Sequence, residues 1–175
     1  IMGRAYHRLQ LTDRAEPHLR TALELRRKLF GDSHVKVAES LLDYALNASR
    51  AGNERAAHDT SAATHFAEEA LSVARAHPEE IDLLLSCLRT SQRLAYERGD
   101  IKEGERFARE ALAIAQQFSV ESHPRIPEIL HDLAREKLFE GQLKEADQLA
   151  RRAVELHRAS QGPRHPEMAW SIDVL

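Results

Sequence analysis

The 175-residue chain carries 25 Lys+Arg against 28 Asp+Glu, a formal net charge of −3, which argues against nucleic acid or an anionic membrane surface as its main partner. Hydrophobic residues make up 42% but aromatics only 5%, so alanine and leucine must fill the core, a helical composition, and no apolar run approaches the ~18 residues of a membrane span. The single cysteine, Cys87, excludes an internal disulfide framework, suits a reducing cytoplasm, and reads as a small buried hydrophobe.

In chain order, Gly3-Arg4-Ala5-Tyr6 and Leu9 read as the tail of a first helix, with Gln10 at the following turn. A second helix places a small residue one turn in, at Ala15, and a small-then-large pair at Ala22-Leu23. Phe30-Gly31-Asp32-Ser33-His34 links it to a third helix, which Gly52-Asn53 is predicted to close, because glycine takes the left-handed conformation at no Cβ cost. The next close-packing position is predicted at Ala57 and the next pair is Ala70-Leu71. Between Ala57 and Ala67, the stretch from His58 to Phe66 holds about six extra residues, read either as a helix that starts early or as a Ser/Thr-rich surface loop.

His77-Pro78 then links to the third hairpin, whose first helix, on the early-start reading, is a longer one from about Glu79 to Arg98, closed by Gly99-Asp100. Gly104 and Ala111-Leu112 repeat the small-residue pattern, and Glu121-Ser122-His123-Pro124 repeats the linker. Ile129, Leu130, Leu133, Ala134 and Leu138 fall at helical spacing, Gly141-Gln142 interrupts, and Leu143, Ala146, Leu149, Ala150, Ala153, Val154 and Leu156 resume it. Gly162-Pro163-Arg164-His165-Pro166 is a fourth linker. Proline in these linkers suits a first helical position.

The alanines of the small-then-large pairs lie 48, 41 and 42 residues apart, a fixed period of helical hairpins that identifies a stacked repeat array. One histidine recurs per linker, His34, His77, His123 and His165, and each reads as a structural linker residue, since equivalent positions displaced by one repeat do not converge on one ion. The remaining histidines, His7, His18, His58, His65, His131 and His157, show no zinc-ligand spacing, so no metal or other cofactor is expected. No kinase, Gly-x-Ser-x-Gly, Walker or Cys-x-x-Cys motif occurs, and adjacent acids such as Glu68-Glu69 and Glu79-Glu80 diverge by about 100° around a helix, so no catalytic residues are assigned.

The run from Ala15-Glu16-Pro17 through Ala22-Leu23-Glu24-Leu25-Arg26-Arg27-Lys28-Leu29-Phe30-Gly31-Asp32-Ser33-His34 to Leu41 resembles tetratricopeptide repeats of the kinesin-light-chain type, the 42-residue variety. Similar copies occur in bacterial signalling proteins, often after a serine/threonine kinase domain. The resemblance covers essentially the whole chain and implies an all-α fold, a right-handed α-solenoid of helix-turn-helix units. It divides residues 1–175 into one array with units near 1–34, 35–77, 78–123 and 124–165 and the start of a fifth at 166–175. Both ends then look interrupted, as expected of a fragment of a longer cytoplasmic protein.

In such arrays the first helix of each hairpin lines a concave groove. By register this implies partner-binding residues at Arg4, His7 and Arg8; Leu42, Asp43, Leu46 and Arg50, beside Glu39; Arg89, Thr90, Arg93 and Tyr96; and His131, Asp132, Arg135 and Phe139, beside Glu128. The arginines suit carboxylate or phosphate, and Tyr96 and Phe139 suit an apolar anchor. The asparagines with which the family often holds a peptide backbone are replaced here by Leu42-Asp43, Arg89-Thr90 and His131-Asp132, which argues against a lysine/asparagine clamp for chaperone carboxyl termini. The implied function is a non-catalytic scaffold that binds a protein or peptide, acidic if the arginines lead. Self-association, a spacer beside a catalytic domain such as a kinase, and a sensor of a small ligand or signal peptide are the alternatives.

Overall fold

The computed structural model describes residues 2–9, 11–54, 60–118 and 123–161. Among them are eight helices and no strand: α1 (Met2–Arg8), α2 (Thr12–Phe30), α3 (Val35–Glu54), α4 (Ser61–Ala76), α5 (Ile81–Glu97), α6 (Ile101–Gln117), α7 (Arg125–Phe139) and α8 (Leu143–Gln161). The expected all-α helical-repeat class is what the chain adopts. The chain divides into two compact units, Ile1–Leu94 and Ala95–Leu175, with the division inside α5.

In the first unit α1 packs on α2, α2 on α3 and α3 on α4. Small residues permit this. Ala15, Ala38, Ala45, Ala63, Ala70 and Ala74 are wholly buried, and Leu19, Leu23, Leu41 and Leu71 fill the space between helices. One apolar cluster joins Ala45 of α3, Ala63 and Ala67 of α4 and Leu94 of α5, and a second joins Ala15, Leu19 and Tyr44. The Tyr44 ring lies 4.4 Å from Phe66, and its hydroxyl donates to Glu16 at 3.2 Å, with Arg20 bridging the same carboxylate at 2.7 Å. Burial pushes the Tyr44 phenol above its ordinary range. Cys87 is fully buried in α5 and its thiol is pushed up to about 12, so it behaves as an unreactive apolar residue.

In the second unit α7 packs on α8 and on α6. Ala108, Ala111, Ala134, Ala150 and Ala153 are wholly buried there, with Ile129 and Leu133 between them. Asp100 caps α6 by accepting from the Glu103 N–H at 3.1 Å. Lys137 of α7, 5% exposed, is held by Glu105 of α6 and by Glu140 at 2.9 Å. Burial opposes its charge, but those hydrogen bonds outweigh burial and keep the ammonium above its ordinary range.

Two predicted turns form as expected, with Gly99 at φ 78° and Gly141 at φ 76°. Gly52-Asn53 is a correction: α3 continues through both residues to Glu54. The extra residues are also placed differently. Ser61–Phe66 is helical rather than a surface loop, and Ala63, seven residues before Ala70, takes the buried position that Ala15, Gly104 and Ala146 hold seven residues before Ala22, Ala111 and Ala153. The added length therefore sits upstream of Ser61, in a longer α3 and residues 55–59; Ala57, Gln10, His165 and the fifth repeat lie outside the described residues. The linker prolines differ too, since Pro124 precedes α7 as its N-cap residue and Pro78 stands before the Glu80 that precedes α5.

Candidate partner-binding face

Helix α3 is covered on most sides, and its half-buried residues include Glu39, Leu42, Asp43, Leu46 and Arg50. These recur at intervals of three and four and so form one stripe along the helix. The equivalent positions of α5, 47 residues on, are Ser86, Arg89 and Arg93, all half-buried. In α7, a further 42 residues on, they are Glu128, His131 and Arg135, again half-buried, followed by Phe139, which is 77% exposed. The same register thus leaves the same stripe partly open on three first helices.

Three of the expected face residues are turned into the packing instead. Thr90 is 7% exposed and donates its hydroxyl to the Ser86 carbonyl at 2.9 Å; Asp132 is 5% exposed. Tyr96 is 8% exposed and lies against Gly104, where an added Cβ would stand 2.1 Å from Tyr96 Cε1. Its ring is turned against Gly104 of α6. Arg4, His7 and Arg8 belong to α1, and their side chains lie outside the described residues.

Within the first unit, Arg93 Nη1 donates to Ser49 Oγ of α3 at 3.4 Å, which puts Arg93 level with the end of the α3 stripe. Toward the other end of α3 a cleft of about 130 Å³ opens between α1, α2 and α3, lined by Gly3, His18, Leu19, Ala22, Arg26, Ser40 and Asp43. Asp43 is the predicted face residue that reaches it. Arg26 crosses the floor, donating to Ser40 Oγ at 2.8 Å and the Lys36 carbonyl at 2.9 Å, with Glu39 at 3.5 Å. At the cleft wall, a Cβ on Gly3 would lie 2.7 Å from Leu19 Cδ2, so the Leu19 side chain would have to shift.

Within the second unit, Arg125 pairs with Glu128 at 3.0 Å, and Arg135 Nε lies 3.6 Å from Glu136 Oε1. Burial pushes the Glu136 carboxyl above its usual range, and Arg135 partly offsets this. Phe139, Leu138 and Leu143, the last 63% exposed, form an apolar rim around the Gly141 turn. Sequence reading missed Ser86, which the 47-residue offset from Glu39 would have supplied, and missed Leu143, whose exposure no local pattern signals.

The described linker histidines, His34, His77 and His123, make backbone contacts of two forms. Lys36 N–H donates to His34 Nδ1 at 3.1 Å and Arg125 N–H donates to His123 Nδ1 at 3.1 Å, so each ring bonds the backbone N–H two residues on, where the following helix begins. His77 instead approaches Ser33 O with Nε2 at 3.0 Å and Glu79 Oε1 with Nδ1 at 3.2 Å. No group of three or more His, Cys, Asp or Glu side chains placed to hold a metal ion occurs among the described residues, and no helix among them is long and apolar enough to cross a membrane.

Among solved structures, the chain is similar to nearly identical tetratricopeptide-like repeats of a kinesin light chain from Podosopora anserina, at 19% identity and a TM-score of 0.73, covering 99% of this chain and 80% of that one. It is similar also to BtubC (BKLC) from P. vanneervenii, at 18% identity and a TM-score of 0.74, covering 91% of this chain and 62% of that one. At these identities the likeness shows the fold. No curated protein sequence matches the chain. The tetratricopeptide repeat profile matches residues 1–76 and 93–159, and the chain belongs to the tetratricopeptide repeat family.

Proposed function

We propose that this chain is a non-catalytic module that binds a protein or peptide along the stripe of its first helices. Tetratricopeptide repeats generally mediate protein–protein interaction, and folds of this type are typically non-catalytic. The observation that carries the reading is the recurrence of half-buried side chains in one register on α3, α5 and α7, while the remaining faces of those helices are packed. A half-buried stripe offers preorganised side chains at low entropic cost, which a bound segment needs.

In the first unit the stripe offers Leu42 and Leu46 beside Arg50, Arg89 and Arg93, a set suited to an apolar side chain flanked by carboxylates. In the second unit it offers His131 and Arg135 beside Phe139. An acidic protein or peptide in the cytoplasm is the partner this chemistry favours. The test is affinity capture with the chain as bait, comparing wild type with the Arg89→Ala, Arg93→Ala, Arg135→Ala variant at equal thermal stability. Loss of a captured partner in the variant is expected, and an unchanged set of partners overturns the reading. A second reading, self-association in a spacer role, is favoured by the apolar rim at Leu138, Phe139 and Leu143; light scattering that shows a monomer up to high concentration removes it.

A further inference from the structure

We propose that the tip of the α7–α8 hairpin docks on the same tip of a second copy of this chain, through Phe139 and Leu143 and a reciprocal pairing of Lys144 with Glu145. This contact presupposes the self-association reading above and supplies its surface and its symmetry.

Phe139 ends the stripe of α7, and the same register position holds Arg50 on α3 and Glu97 on α5. A position that the fold fills elsewhere with charged side chains needs no apolar ring for packing, and this ring is 77% exposed. Leu143 opens α8 on the other side of the Gly141 turn. Its register position on α6 holds Ile101, which is half-buried, whereas Leu143 is exposed. Between the two, Gly141 N–H donates to the Leu138 carbonyl at 3.0 Å and Gln142 N–H to the Lys137 carbonyl at 2.9 Å. The apolar groups thus stand on a hydrogen-bonded turn, and a preorganised tip loses little entropy when it is covered. Single exposed apolar residues are ordinary, but a group of them at one tip marks a contact surface.

The charges around the tip identify what covers it. On α7 they are settled within the chain: Glu140 accepts from Lys137 at 2.9 Å, and Arg135 lies 3.6 Å from Glu136. On α8, Asp147 stands one turn beyond Lys144 but is taken by Arg151 at 2.9 Å. Lys144 and Glu145 follow Leu143 directly and are both exposed. Neither has an ion-pair or hydrogen-bonding side-chain partner among the described residues. The helix dipole favours Glu145 in this first turn but opposes Lys144, so the local helix does not account for the lysine.

Two adjacent charges of opposite sign beside an apolar group are self-complementary about a two-fold axis. Lys144 of one copy meets Glu145 of the other, the reverse pair forms at the same time, and Leu143 and Phe139 fill the centre. A partner of one charge sign would satisfy only one of the two residues. An apolar centre inside a polar rim is the usual anatomy of an interface. One hairpin tip covers less than the ~1,200 Å² of a stable complex, so the association is weak and rises with concentration.

The test is sedimentation equilibrium of the whole chain from micromolar to millimolar concentration. Wild type is expected to shift from monomer toward dimer, and Leu143→Asp to stay monomeric. Lys144→Glu alone and Glu145→Lys alone set like charges opposite each other, and each is expected to weaken the dimer by at least about tenfold. An equal mixture of these two single variants is expected to associate as wild type does, and so is the chain that carries both changes. A wild type that stays monomeric overturns the contact and the self-association reading together. A dimer that Leu143→Asp leaves intact overturns this contact alone. Should Leu143→Asp not fold, the charge variants decide, and weakening that neither the mixture nor the double variant repairs overturns the two-fold pairing.

Discussion

The ring of Tyr96 occupies the volume that any side chain at residue 104 would need: a Cβ on Gly104 would lie 2.1 Å from Cε1 and 2.4 Å from Cδ1. Alanine improves intrinsic helix propensity over glycine by about 1 kcal/mol, and overpacking costs about 1–3 kcal/mol, so the clash is expected to win. Gly104→Ala should therefore lower stability in a denaturant melt, and Tyr96→Leu in the same chain should recover part of the loss. A stabilised single variant would show that the ring moves aside freely.

Ala63 tests where the added residues of the second hairpin sit. It is wholly buried, whereas Ala62 beside it is exposed. Ala63→Leu should destabilise by about 1–3 kcal/mol, and Ala62→Leu should stay within about 0.5 kcal/mol of wild type. Equal effects at the two positions would put the helix in another register.

Lys137 is a buried cation of the second unit, its side chain 6% exposed against 14% for Glu105. Truncation leaves a carboxylate in a largely dry site, and Lys137→Ala should cost about 2–4 kcal/mol. Lys137→Met with Glu105→Gln should regain most of this. Because the ammonium is held above its ordinary range, its contribution is full below the unfolded value and is lost as pH rises through the folded one. The stability gap between wild type and Lys137→Met should accordingly shrink only above about pH 10.4.

Glu136 carries the opposite sign. Burial raises its carboxyl, so the ionised form at neutral pH weakens the folded state, and protonation relieves it. Glu136→Gln should raise the melting temperature at pH 7, with the gain disappearing once acid protonates the wild-type carboxyl in both folded and unfolded states, below about pH 4. A loss at pH 7 would show that the Arg135 pair at 3.6 Å outweighs the burial cost.

The repeat, the helical hairpins and most of the register were legible in the residues, because a 3.6-residue period and alternating small and large core positions are properties of local sequence. Ala22, Ala70, Ala111 and Ala153 marked one helix of each hairpin, and Gly99 and Gly141 marked turns that only a positive φ closes. Gly52 shows the boundary of that reading, since glycine permits a turn without requiring one and α3 continues past it to Glu54. The identity of the stripe was likewise periodic and readable, but its depth was not. Thr90, Asp132 and Tyr96 sit at helical positions beside Arg89, His131 and Arg93, and which of these neighbours faces outward depends on how the adjoining helix covers them. The role of the linker histidines also came from tertiary structure: His34 and His123 each accept a backbone N–H from two residues on, whereas at His77 the fold brings the Ser33 carbonyl of another linker within hydrogen-bond reach.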